Sequence, residues 1–436
     1  MLPSAFIPAG VRALVGLLLL GLLCRASAEV NPALPNIPER VFSVTAFGAV
    51  GDGMVTNTEA FQAAIQAAST AGGGRVEVPA GTYLCGPIQL ASRIELHLAA
   101  GAILRLLPLT KYPGGTVHPA NFISGDNLHD VAITGAGAID GQGAPWWPYA
   151  KVKGAARPRL LAPGSCQRLL ISGITLSNSP MFHIALGGKC SDVTVRGVTI
   201  RAPASNDPLL PSHNTDACDV KGRNIRIENC DVSVGDDNFT CGGNTTDVLI
   251  TNCHYRYGHG VSIGSYTQGV VSNITVIGCT FQNTECGIRI KSDRDRGGYV
   301  HDLKYLNLTM TNVDCPILVY GAYMVKDPQF RNTQKLTPEL AATYPAAPVT
   351  PLTPIYRDLV FSNITATVSP GRRAGLLWGL PEMNISNVTL DHVTITADKS
   401  FGVYSVQGLE IKNCHFLAPG GVAGLVTNQV SFRSAP

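Results

Sequence analysis

Apolar and polar positions alternate along most of this chain, in short runs that recur with one shape. Leu169-Leu170-Ile171-Ser172-Gly173-Ile174-Thr175-Leu176 has the same pattern as Val193-Thr194-Val195-Arg196-Gly197-Val198-Thr199-Ile200. The phrase returns at 225–232, 248–255, 274–281, 303–310, 359–366 and 409–416. Alternation with period two is the mark of a strand with one face buried. Aligned on the apolar residue before the corner, the repeats give Ile171, Val195, Ile227, Ile250, Val276, Tyr305, Phe361 and Ile411. Two positions on, the residue is always Gly or Asn: Gly173, Gly197, Asn229, Asn252, Gly278, Asn307, Asn363, Asn413. Both residue types tolerate the left-handed backbone of a sharp corner. A strand–corner–strand unit returning about every two dozen residues predicts an all-β parallel solenoid, one coil stacked on the next.

The first part of the chain reads differently. Thr56-Asn57-Thr58-Glu59 fits a capping box, with a helical run from Ala60 to Ala68 ended by Gly72-Gly73-Gly74. Such a helix would cover the open end of the solenoid. Residues 324–356 interrupt the repeat and hold six prolines, as an excursion loop and not a second domain. Ahead of all this, Arg12, the apolar run Ala13 to Cys24 and the small residues Ala26-Ser27-Ala28 form a secretory signal pattern, too short to span a bilayer. The organisation read here is a signal peptide at 1–28 and one catalytic domain at 29–436. The protein is expected outside the cell, or in the periplasm of a Gram-negative bacterium.

Composition agrees. Hydrophobic residues are 45% of the chain, charged residues only 14%, and Gly is abundant at 46, which suits buried strands and tight corners better than a helical bundle. The formal charge of +3 falls to about +1 without the signal, so net charge identifies no partner. Cys230, Cys253, Cys279 and Cys414 fill the inward slot held elsewhere by Ile174, Val198, Leu308 and Ile364, and are read as buried free thiols. One or two disulfides among the other cysteines remain open, and no cysteine spacing indicates zinc.

The repeat also orders the candidate chemistry. Nine residues after Ile227 comes Asp236, followed by Asp237; nine after Ile250 comes His259. Asp216 lies one coil before Asp237, and Arg289 and Lys291 lie on the coil after His259. Clustered carboxyls separate in pKa because they resist joint ionisation. Glycosidic cleavage by inversion needs one protonated carboxyl and one ionised carboxylate. Neighbouring cations suit a sugar that carries a carboxylate, with Arg289 offering a bidentate fork.

In these residues the chain resembles glycoside hydrolase family 28, the polygalacturonases. The motifs appear in order: Asn214-Thr215-Asp216, Gly235-Asp236-Asp237, Gly258-His259-Gly260 and Arg289-Ile290-Lys291, with Tyr323 further on. The resemblance covers about 42–425. It implies a right-handed, single-stranded parallel β-helix of the pectin-lyase-like kind and hydrolysis of pectin or polygalacturonate. Asp236 would be the general acid, Asp216 and Asp237 would activate water, and His259 would tune the acid. Asn214, Arg289, Lys291 and Tyr323 would bind substrate. The resemblance implies neither a metal nor an organic cofactor. The expected partner is an acidic polysaccharide, with neither nucleic acid nor membrane, and the protein acts as a monomer. Two departures stand out. Family members often carry Cys after the Asp pair, bonded to a Cys near the histidine motif; here that position is Asn238. Ala217 replaces a usual Gly and would narrow the space near Asp216.

Other readings remain open at this level: a hydrolase of rhamnogalacturonan or xylogalacturonan, a pectate lyase, and a non-catalytic polysaccharide-binding solenoid. A lyase would need an acidic calcium cluster, for which Asp293 and Asp295 beside Arg294 and Arg296 are the nearest candidates.

Overall fold

The computed structural model describes residues 30–418 and 424–433; the expected signal segment 1–28 lies outside them. The named strands pair in parallel to make one continuous winding sheet. The chain rises one strand spacing per turn, and three ladders run along the solenoid.

The first ladder carries the repeat read from sequence. Ile171, Val195, Ile227, Ile250, Val276, Tyr305 and Phe361 are successive partners in register. Phe361 then pairs with Leu390, and Leu390 with Ile411. The gap between Phe361 and Ile411 thus hides a complete coil, whose corner is His392 at φ 52°. The ladder also extends back through Ile133 and Leu96 to Val76, so the N-terminal part belongs to the same winding. The Asn and Gly corners are left-handed throughout, from φ 77° at Gly173 to φ 50° at Asn413. Between coils, Asn363 donates to Asn307 at 2.8 Å.

The inward residues of the three ladders fill the tube. Cys230, Cys253 and Cys279 are buried in one column, Tyr305 stacks on Phe361 at 5.3 Å, and Tyr255 tilts over Phe281 at 5.1 Å. Each such apolar side chain contributes about 1.5–3 kcal/mol by leaving water. The eleven described cysteines are free; all are buried but Cys414, which is partly exposed.

The predicted helix spans Thr58–Thr70, longer than the sequence suggested, and packs Phe61, Ala64, Ile65 and Ala68 on the first coils. Its cap is Asn57, without a capping-box hydrogen bond. The Asn57 side chain instead accepts from the Val50 amide and donates to the Val50 and Val55 carbonyls, and Thr58 Oγ1 accepts from Gly86. The excursion folds back onto later coils through two short helices, Pro328–Arg331 and Pro338–Ala342. Phe330 and Tyr344 pack on Trp378, and Arg294 pins the segment by bonding Glu382 at 2.6 Å while lying over Tyr344.

Candidate active site

The third ladder carries the candidate chemistry on its outer face. Ala185, Asp219, Thr240, Ser262, Arg289 and Leu318 are successive partners across six coils. Counting back three residues from Asp219, Thr240 and Ser262 gives Asp216, Asp237 and His259. The sequence spacing had set His259 opposite Asp236; the register sets it opposite Asp237, one residue away. Backbone bonds hold this row together, from the Ala217 amide to the Asp237 carbonyl at 2.9 Å and from Asn238 to Gly260 at 3.0 Å.

The turns explain why these side chains point together. His259 stands between Gly258 at φ 108° and Gly260 at φ 81°, which bend the chain sharply around it. A side chain at Gly258 would strike the Asn238 amide at 2.7 Å. Thr215 is fully buried; its hydroxyl donates to the Ser212 carbonyl and accepts from the Gly235 amide, tying the Asp216 turn to the Asp236 turn. Below them the His183 amide donates to the Asp216 carbonyl at 2.8 Å. Complete burial pushes the His183 imidazole down to about 4, so it serves as a neutral strut.

All eight residues singled out from sequence line one groove of about 400 Å³: Asn214, Asp216, Asp236, Asp237, His259, Arg289, Lys291 and Tyr323. His259 Nδ1 lies 3.0 Å from Asp236, and its Nε2 lies 3.5 Å from Glu285. Arg289 and Lys291 do not stand free in the groove. Both are buried and bonded to Asp237, the guanidinium to Oδ1 and the ammonium to Oδ2, the latter at 3.1 Å. Ser262 donates to the same carboxylate at 2.6 Å and accepts from Arg289. Asn214 turns toward Asp236, donating through its backbone amide at 3.2 Å and its side chain at 3.4 Å. Tyr323 lies under the Lys291 ammonium at 5.2 Å.

Their surroundings pull the carboxyls apart. Burial raises Asp237, but Arg289, Lys291 and His259 outweigh it and hold it well below the usual carboxylate range. Asp216 is pushed well above that range by burial first, then by the charges of Asp236 and Asp237. Its Oδ1 is buried without a hydrogen-bond partner. For Asp236, burial raises the carboxyl, but the hydrogen bond from His259 together with the charges of His259 and Arg289 lowers it overall. Asp236, Asp237 and His259 bring ligand-type atoms within 4.8 Å of one another, yet both Asp237 oxygens already face protein cations.

Sequence reasoning passed over several participants. Buried Arg157 donates to Asn214 Oδ1 at 2.8 Å and to the Pro180 and His213 carbonyls, so it sets the amide that touches Asp236. Ser262 lies two residues past the Gly258-His259-Gly260 motif and Glu285 four residues before Arg289, so both were within reach; Arg157 has no local signature. Asn238 is buried, donates to the Tyr257 carbonyl and accepts from the Gly260 amide, both at 2.8 Å. It thus spans the two segments that a disulfide joins in the resembled family. Ala217 packs into the core and does not narrow the groove. Asp293 is taken up by the backbone amides of Arg294 and Met324, and Asp295 by Arg296, so the acidic pair is engaged locally.

The sequence profile of glycosyl hydrolases family 28 matches residues 69–414. An exopolygalacturonase of Zea mays is 30% identical over 425 residues, covering 92% of this chain and 97% of the relative. A protein named probable polygalacturonase from Arabidopsis thaliana is 34% identical over 287 residues, and the match spans 60% of its length. Among solved structures, a Yersinia enterocolitica family 28 exopolygalacturonase superposes with a TM-score of 0.73 at 19% identity, over 90% of this chain and 78% of that one. At that identity the likeness concerns the fold.

Proposed function

This chain belongs to glycosyl hydrolases family 28, and we propose that it hydrolyses the α-1,4 galacturonosyl linkages of polygalacturonate with inversion. The observation that carries this reading is the joining of three carboxyls and two buried cations in one groove. In the proposed reaction Asp236 protonates the leaving oxygen. It is the most accessible of the three carboxyls, with 17% of its side chain exposed against 4% for Asp237. The His259 imidazole stands 3.0 Å from this carboxyl, within reach to hand it a proton. Asp216 activates water on the other face. Asp237, kept ionised by Arg289 and Lys291, shares that water with Asp216 and takes its proton, and the two cations spread positive potential toward the sugar carboxylate.

Secretion is part of the proposal, supported by the signal pattern before residue 29. Among the described residues no helix is long and apolar enough to cross a membrane.

The test is digestion of polygalacturonate with chromatography of early products and NMR of the first anomer released. Saturated galacturonides of inverted configuration are expected. Monomer first means exo attack; mixed oligomers mean endo. Asp236→Asn should lose about 10²–10⁴ in kcat. Unsaturated products, or near-normal turnover by a folded Asp236→Asn protein, would refute it.

A further inference from the structure

The two residues expected to clasp a sugar carboxylate, Arg289 and Lys291, are both committed to Asp237. A third groove-lining cation is not so committed. Lys221 lines the same groove, is exposed, and among the described residues has no ion pair or side-chain hydrogen bond. Its place in the register is informative. Val220 pairs with Cys241 and Cys241 with Ile263, while Ile263 pairs with Ile290. One residue on stand Lys221, Gly242, Gly264 and Lys291, a row on four successive coils in which the ladder pairing shifts at Lys221 while its side chain stays beside Gly242. The row has a lysine at each end and no side chain between.

The two glycines are not free to be otherwise. A Cβ at Gly264, φ 93°, would lie 2.0 Å from the Lys291 carbonyl, and one at Gly242 would lie 2.7 Å from the Tyr266 carbonyl. The floor between the lysines is thus backbone, with the Lys221 stem beside Gly242. Tyr266, 64% exposed, lines the groove beside it with Arg296 over its ring at 4.6 Å. A sugar ring can rest its apolar face on such an aromatic wall. Three strand spacings separate the lysines, roughly 14 Å, a span of a few pyranose units. The row also brackets the acid–base groups. Lys221 lies on the coil of Asp216, Lys291 lies beyond His259, and Asp236 and Asp237 sit on a coil between.

The geometry points to Lys221 as a second carboxylate-binding position, on the far side of the cleaved bond from Arg289 and Lys291. It selects acidic oligosaccharides long enough to cover the glycine floor. This rests on the reading of the groove as a galacturonan site and adds a length and charge requirement to it. Asp219, on the same strand and facing the same groove, is the acidic neighbour that Lys221 offsets. Without that lysine the floor would repel a uronate.

The experiment is calorimetric binding of digalacturonate and hexagalacturonate to Asp236→Asn protein, which prevents turnover, with and without Lys221→Met. Loss of Lys221 should weaken the hexamer roughly fivefold or more and leave the dimer unchanged. Lys221→Arg should restore it. About 0.5 M salt should erase most of the difference, and a methyl-esterified hexamer should show none. Equal hexamer affinity with and without Lys221, or equal weakening of dimer and hexamer, overturns the assignment and leaves the proposed hydrolase intact. Failure of the Asp236→Asn parent to bind either oligomer overturns both.

Discussion

Asp237 accepts hydrogen bonds from Arg289, Lys291 and Ser262, whereas Oδ1 of Asp216 has no partner. Two carboxyls of one row therefore pull stability in opposite directions. Asp216 has its folded pKa raised, so the folded protein binds the extra proton and stability is lost as pH rises from about 4 toward that raised value. Asp216→Asn removes the penalty. It should abolish activity yet raise Tm at pH 7, with the gain shrinking toward pH 4; a Tm difference independent of pH would contradict this. Asp237 works the other way, its stabilisation present above the usual carboxylate pKa and lost in acid. Breaking its buried pairing should be costly. Arg289→Gln is expected to lower unfolding stability by about 3 kcal/mol in urea titration, where a purely surface clamp would leave the midpoint unmoved. At this scale the identities of the groups were legible in the motifs, but their pairing was not. Nothing in Arg289-Ile290-Lys291 says that both cations turn onto Asp237, because that depends on strand register between coils.

The turn that presents His259 is an element with its own fastening. Asn238 satisfies the Tyr257 carbonyl and the Gly260 amide at once, the second of these in the buried interior. Asn238→Ala leaves the buried Gly260 amide unpaired, at about 1–3 kcal/mol. The expected result is a lower Tm with kcat falling more than KM rises, because His259 loses its place while the far groove is untouched. A KM effect alone, measured by steady-state kinetics, would argue against it. The same element shows where sequence reading reached its limit. Replacement of Cys by Asn at 238 was visible and read as a lost link, but the side-chain amide makes a link of its own. The capping box failed similarly. Asn57 is the cap residue, but its side chain is used by the loop at Val50 and Val55.

Over the whole molecule, the period was legible through most coils with a Gly or Asn corner, although the coil through Ile133, which turns at Gly135, was passed over. The coil through Leu390 escaped notice because His392 takes the left-handed corner. The coils through Val76, Leu96 and Ile133 lack the recurring phrase, though their ladder is continuous with the rest. The helix Thr58–Thr70 packs on the first coils through Phe61 and Ile65. Phe61→Ala should cost about 3–5 kcal/mol and unseat the cap, baring parallel strand edges. Concentration-dependent association in size-exclusion chromatography is the expected sign, and a strictly monomeric, equally stable variant would show that the helix is dispensable.

In its backbone ladders each turn of the solenoid pairs only with the turn before and the turn after, and the groove runs across several turns. Every winding therefore adds a single rung to the binding surface. Replacing one rung with another of equal length alters a single contact with the glycan and spares the remaining scaffold. Preference for chain length or esterification is thus open to change one winding at a time.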